Sequence, residues 1–212
     1  MNALFPLALL ALAGSPSPSP SPDSGPGWTK AAETDGITVF TRDKPGSEVK
    51  ELKAVGMIDA DPQAVWRVLR DYPRYKERMP YTEAAEVVAT EDGGKVTYFY
   101  SRVAAPFVSK RDYTLKIIDE SDWKDGQGFL KSSWVMAPDK GPPPKQDVVR
   151  LKINDGFWLL EPKDGGKRTF VTYYLFTDPG GSIPKFLVNQ ANGSAVPDVF
   201  RAIRKYATAP AK

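Results

Sequence analysis

Between Thr82 and Asp178 the chain is interrupted at short intervals by residues that turn a strand back on itself. The interruptions are Asp92-Gly93-Gly94, Ala105-Pro106, Asp125-Gly126, the loop Pro138 to Asp147, Asp155-Gly156 and Asp164-Gly165-Gly166. Runs of alternating residues bounded by such turns predict an antiparallel meander. Ahead of it, "ITVFTR" (Ile37 to Arg42) and "VKELKAVGMI" (Val49 to Ile58), joined through Pro45-Gly46, read as paired strands, for about nine in all. A helix is predicted between the two groups, with Asp61 as N-cap, Pro62 at the first position and Val65, Trp66, Val68 and Leu69 as its apolar face. A short helical turn over Tyr75 to Arg78 follows. The chain closes with a segment in which Ser182 caps, Pro184 fits the first turn, and Ile183, Phe186, Leu187, Val199, Phe200, Ile203 and Tyr206 form an apolar stripe. This predicts one long helix, which Gly193 and Pro197 should bend. A curved sheet needs an apolar cover for its inner face, and a helix of that length provides one. The expected class is therefore α+β: a helix-grip arrangement, with a curved antiparallel sheet of about nine strands around a long C-terminal helix and a hydrophobic cavity between them.

A chain of 212 residues, 41% of them hydrophobic, can bury one sizeable core but is short for two domains. Its 29 basic and 26 acidic residues are interspersed and leave a net charge of +3, so no nucleic-acid partner is expected. The absence of Cys and His excludes Ser-His and Cys-His nucleophilic pairs and the common zinc sites. Neither a metal nor any other cofactor is expected, and catalysis is disfavoured. At the front, "MNALFPLALLALA" (residues 1–13) has the length and small-residue end of a signal peptide, although no Lys or Arg precedes Lys30. It is too short to span a bilayer. Residues 14–27 form a Pro/Ser-rich tether, residues 28–207 the folded domain and residues 208–212 a tail. The expectation is an exported monomer, periplasmic or secreted.

Four stretches, in order, resemble START lipid-transfer domains. "AVWRVLRDYPRYKERMP" resembles the early helix, "VSKRDYTLKI" the strand that opens with Arg-Asp-aromatic, "VMAPDKGPPPKQDVVRLKI" the omega loop and the strand after it, and "DPGGSIPKFLVNQA" the start of the C-terminal helix. The resemblance runs from about Trp28 to Tyr206. It departs at the front, where START domains usually carry a longer N-terminal helix than Trp28 to Thr34 allows. It implies non-covalent binding of one lipid (a phospholipid, fatty acid or sterol-like molecule) beneath the C-terminal helix, with transient contact to a membrane surface.

Strand alternation sorts Tyr98, Tyr100 and Arg102 onto one face and Thr97, Phe99, Ser101 and Val103 onto the other, without saying which is inside. The resemblance points to the first face: steroid-binding and some phospholipid-binding START domains carry a cavity-facing acid that aligns with Arg102, and their partner Arg falls at Ile117. An inward Arg102 needs a phosphate or carboxylate to occupy its donors; the alternative is a surface Arg near a strand end. The same comparison selects Tyr113, Leu115 and Ile117, then Trp134 and Met136, then Val171, Tyr173 and Leu175, and on the helix Phe186, Leu187 and Gln190. Ordinary sheet core is the alternative for Val171 and Leu175. Arg111-Asp112 is expected to lock the sheet edge to the terminal helix, and the loop Gly141, Pro142, Pro143 and Pro144 to gate the cavity by hinging at Gly141. The function that follows is an exported START-like lipid carrier or sensor. A polyketide aromatase/cyclase of the same superfold and a ligand-free interaction module are the alternatives.

Overall fold

The computed structural model describes residues 26–104, 109–178, 180 and 185–209, the side chains of 185–194 excepted. The proposed signal segment, most of the tether, the Ala105-Pro106 break, the Ser182 and Pro184 helix start and the side chains of Phe186, Leu187 and Gln190 lie outside the described residues. Among the described residues the first element is strand β1 (Thr29–Thr34), which the turn pattern of the sequence did not predict. β1 pairs with β2 (Ile37–Arg42), and β2 with β3 (Glu51–Ile58). Helix α1 (Pro62–Arg70) starts as its sequence dictates: the Ala64 N–H donates to Asp61 Oδ1 at 2.9 Å and Pro62 occupies the first turn, where a missing N–H costs nothing. A 3-10 turn then leads into the short helix α2 (Tyr75–Arg78).

The meander follows as β4 (Thr82–Glu91), β5 (Val96–Val103), β6 (Lys110–Asp119), β7 (Asp122–Lys124), β8 (Gln127–Met136), β9 (Val148–Arg150), β10 (Ile153–Lys163) and β11 (Arg168–Asp178). The sheet order is β1-β2-β3-β11-β10-β8-β6-β5-β4, a path of nine strands with β7 and β9 as short additions. β7 and β8 are joined by Asp125 and Gly126, both at positive φ, the hairpin geometry that an Asp-Gly pair adopts readily. Two expectations are corrected. Asp155-Gly156 is no turn but lies inside β10, and β9 pairs with β6 in parallel, departing from a pure meander.

Helix α3 (Lys185–Ala207) lies on the inner face and remains α-helical through Gly193 and Pro197. Its last turns are clamped by Arg204, which donates to the carbonyls of Asp35 at 2.6 Å and Met57 at 2.9 Å, and by Arg201, which donates to the Asp35 carboxylate at 2.7 Å. Beneath it Val196, Phe200 and Ile203 pack with Ile37, Val39, Leu52, Ile58, Leu160 and Val171 of the sheet and Val65 and Val68 of α1. This closed core fills the half of the inner face built on β2, β3, β10 and β11. The other half, on β5, β6 and β8, is covered less completely, and the cavity lies there.

On the outer face Glu51 is 5% exposed and accepts from Arg42 Nε at 2.6 Å, Tyr174 Oη at 2.7 Å and Lys44 Nζ at 3.2 Å. Burial pushes its carboxyl up, but these three donors together more than reverse that and hold it at about 2, against an ordinary 4.5. A depressed carboxylate stabilises the fold fully above its unfolded value and ceases to do so as pH falls through the folded value. Glu51→Gln is therefore expected to cost about 1 kcal/mol at neutral pH, a modest figure because water screens the half-exposed Arg42 and Lys44. The gap from wild type should close between about pH 4.5 and 2, as read by urea unfolding across that range. A gap that persists at the acid end would contradict the network.

Candidate functional site

Alternate residues of the β-strands stand on one face, and the inward face of five strands encloses a cavity of about 360 Å³. β5 contributes Phe99, Ser101 and Val103; β6 contributes Arg111, Tyr113, Leu115 and Ile117; β8 contributes Ser132 and Trp134. β10 adds Asn154 and Trp158, and β11 adds Tyr173, Leu175 and Thr177. The opposite wall is the α1–α2 segment, with Leu69, Tyr72, Tyr75 and Met79, together with Ala195 and Val199 of α3.

Aromatic rings set its shape. On the sheet, Tyr173 stacks on Trp158 at 4.1 Å and on Trp134 at 6.1 Å, while across the cavity Phe99 packs against Tyr72 at 5.0 Å and Tyr75 at 5.4 Å. Two of these rings direct their polar atoms to partners within the protein. Trp134 Nε1–H donates to Asn154 Oδ1 at 3.1 Å, and the Tyr75 hydroxyl donates to the Leu69 carbonyl at 2.5 Å. Burial pushes the Tyr72 hydroxyl up to about 12 and raises those of Tyr75, Tyr113 and Tyr173 above their ordinary value. All four stay protonated and neutral near neutral pH.

Among the described residues lining the cavity, Arg111 alone carries a formal charge. It is 8% exposed, donates to the Ser109 carbonyl, and burial lowers its pKa from the usual guanidinium value. An Arg side chain nevertheless stays a cation in a protein. Asp112, one residue on, points the opposite way and accepts from Arg150 Nε at 2.6 Å, from Arg150 Nη2 at 3.0 Å and from the Tyr100 hydroxyl at 3.2 Å. The Arg111-Asp112 pair is thus split by the pleat. Arg111 lines the cavity, and Asp112 ties β6 to β9.

Of the residues selected from sequence, Tyr113, Leu115, Ile117, Trp134, Tyr173 and Leu175 come together around the cavity. Tyr98, Tyr100 and Arg102 do not: β5 presents its other face. Arg102 donates to Glu83 at 2.6 Å on the outer side, Tyr100 donates to Asp112, and Tyr98 donates to Glu91 at 3.2 Å. The physical reason is that each polar tip finds a charged partner there, whereas an inward Arg102 would have left its partner Glu83 behind. Val171 shares the face of Tyr173 but is fully buried in the closed core, and Met136, partly buried at the end of β8 opposite Leu115, lies outside the cavity lining. Gly141, Pro142, Pro143 and Pro144 also lie outside the lining. A Cβ on Gly141 would meet Thr114 Oγ1 at 1.9 Å, and the Pro142 carbonyl accepts from Arg150 at 3.0 Å, so the base of this loop is fastened to the outer side of β6. A more open depression of about 540 Å³ also lies on that side, among Arg102, Lys110, Lys145 and Asp147. It lacks an apolar enclosure.

Sequence reasoning missed Phe99, Ser101, Ser132, Asn154 and Trp158, and gave Arg111 a structural role. The signal for Arg111 was present, since it stands two residues before Tyr113 on a face already assigned to the cavity. No group of three or more acidic side chains among the described residues is placed to hold a metal ion.

The family model for the START domain matches residues 23–211. The chain belongs to the START family. This START domain is 29% identical to the human phosphatidylcholine transfer protein over 192 residues, covering 86% of each chain. Among solved structures, a STAR-related lipid transfer protein fragment from Xanthomonas axonopodis is 30% identical, covers 86% of this START domain and 99% of its own length, and superposes with a TM-score of 0.76. The human StAR-related lipid transfer protein 5 reaches the same TM-score of 0.76 at 17% identity, covering 87% and 88% of the two chains, a likeness of fold.

Proposed function

We propose that this protein binds one lipid molecule in the cavity and carries or senses it, with no chemistry of its own. The observation that carries the reading is the cavity itself: apolar and aromatic on most sides, with a single cation among its described lining residues. Exposing an acyl chain to water costs about 0.8 kcal/mol per methylene, so a sixteen-carbon chain faces on the order of 13 kcal/mol, and only an apolar enclosure offsets that. Its tyrosines are held neutral and so offer no base near neutral pH, which favours binding over an aromatase-like reaction. The family relatives, named for lipid transfer, support the same reading. Export, action as a monomer and transient contact with a membrane remain part of the proposal on the strength of the sequence.

The test is native mass spectrometry of the protein after incubation with mixed-lipid vesicles, alongside Leu175→Trp. The indole should fill the cavity from β11 and reduce lipid uptake at least tenfold, while circular dichroism stays that of the wild type. Wild-type protein that emerges lipid-free, or a variant that loads as well as wild type, would refute the reading.

A further inference from the structure

Met79, Pro80, Tyr81 and Thr82 make a turn between α2 and β4, in which the Thr82 N–H points back to the Met79 carbonyl at 3.5 Å and Tyr81 has a positive φ of 60°. Proline second and a positive φ third is the pattern of a turn that takes Gly or Asn at its third position. Five non-glycine residues among those described adopt positive φ, and the other four are Asp35, Asp92, Asp125 and Asp164. Aspartate tolerates this region because its short side chain bonds locally to the backbone, whereas a tyrosine there must be held in place by its surroundings. Glycine would make the same turn without strain. The reason for a tyrosine lies in what its ring reaches.

The Tyr81 carbonyl accepts from the Ala104 N–H at 2.8 Å, just past the end of β5, and the Tyr81 hydroxyl donates to Asp198 Oδ2 on α3 at 3.1 Å. The side chain thereby bridges from the α2–β4 turn to α3, whose Ala195 and Val199 line the cavity from the other side. Among the described lining residues Tyr81 is the one that is exposed, at 42%, so it forms a boundary between the cavity and water. The two ends of this bridge are unequal. Asp198 is gripped by Arg201, which also reaches Asp35, and Arg204 fastens the next turn of the helix to the Asp35 and Met57 carbonyls. On the other side Pro80 has no N–H to give, and the hydrogen bond that closes the turn is long.

We propose that the turn over residues 79–82 is the entrance to the cavity and that the Tyr81 hydroxyl latches it shut against α3. Backbone strain at Tyr81 favours release and the bond to Asp198 opposes it, so closure depends on one breakable contact. When that contact breaks, the turn moves, the clamped end of α3 stays, and the cavity opens between Pro80 and Val199. This rests on the lipid-binding reading above and adds the route by which a lipid enters. The Pro-rich loop, fastened on the outer side of β6, takes no part.

Hydrogen exchange of the Ala104 N–H, followed by nuclear magnetic resonance on the delipidated full chain, reports whether the turn is in place. Tyr81→Phe removes only the hydroxyl and should raise that exchange rate about threefold or more, with the amides of Phe200 and Ile203 on α3 unchanged. Tyr81→Gly, which suits the backbone of the turn, should raise it further, with circular dichroism as the folding control for both. Loading from vesicles of phosphatidylcholine, phosphatidylglycerol and palmitic acid, timed by native mass spectrometry, should reach its half-point about threefold sooner or better in both variants, at an unchanged final load. Should the glycine variant fail to fold, Tyr81→Phe decides alone. Ala104 exchange in Tyr81→Phe equal to that of the wild type overturns the latch, whatever the protein binds. Faster exchange at Phe200 and Ile203 as well overturns it too, because the helix then moves. Faster Ala104 exchange without faster loading overturns the entrance and leaves the lipid-binding reading standing. Wild-type protein that takes up none of these lipids removes that reading and the entrance with it.

Discussion

Replacing Asp112 with Asn is expected to lower the unfolding free energy by about 3 kcal/mol. Asp112 is 1% exposed and holds both Nε and Nη2 of Arg150 in a forked pair, while its second oxygen also accepts from Tyr100. The Arg150 side chain is itself only 17% exposed, so removing the carboxylate leaves a cation in a site with little water to replace it. An Asn amide also turns a donor toward a donor. The loss reaches beyond the pair, because the same Arg150 also holds the Pro142 carbonyl, fixing the Pro-rich loop to β6 through β9. Urea unfolding measures the loss, and limited proteolysis should find the Pro138 to Asp147 segment cut faster. Adding Arg150→Gln should recover part of the stability, since the second substitution removes the orphaned charge. A loss below about 1 kcal/mol would show that the pair is hydrated and weak.

Gly156→Ala is expected to cost about 3 kcal/mol, large for the addition of one methyl group. A Cβ at this position would lie 2.4 Å from Trp134 Cζ2 and 2.4 Å from the Tyr174 carbonyl oxygen. The second collision is with backbone, and β10 is held between β8 and β11 by continuous pairing on both sides, so neither strand can retreat. Trp134 must move instead, giving up its bond to Asn154 and its stack on Tyr173. The measurements are urea unfolding for the stability and near-ultraviolet circular dichroism for the indole. A variant with wild-type stability and an unaltered aromatic signal would mean that the indole does not lie across Gly156.

Much of the secondary structure followed from local chemistry. The Asp61 cap with Pro62, the bounds of β2, the short helix at Tyr75 to Arg78, the Asp125-Gly126 hairpin and the single closing helix each depend on a few neighbouring residues, and such rules act before any tertiary contact exists. Part of the site was legible for the same reason. Once one residue of a strand is placed inside, the pleat places its alternates, and this holds for Tyr113, Leu115 and Ile117.

What alternation does not carry is the choice between two faces when both are apolar. All of β5 from Val96 to Ser101 is buried, the inner face by the cavity wall and the outer face partly by Ala137, so Tyr98 and Phe99 look equally interior in sequence. The face was decided by long-range partners, Glu83 for Arg102 and Asp112 for Tyr100. Gly156 makes the same point from the other direction. Next to Asp155 it carries the local signature of a turn, yet the missing side chain is used by an indole twenty-two residues earlier in the chain, which lies across the strand there. The sequence by itself determined the order of the elements from β2 to the closing helix and the α+β class, because turn chemistry and hydrophobic period are local. Which side of β5 lines the cavity, that Arg111 rather than Arg102 lies in its wall, and why a glycine stands inside β10 were decided only by the tertiary structure, because the burial of a charge or a ring depends on partners that the chain brings together only when the sheet has closed.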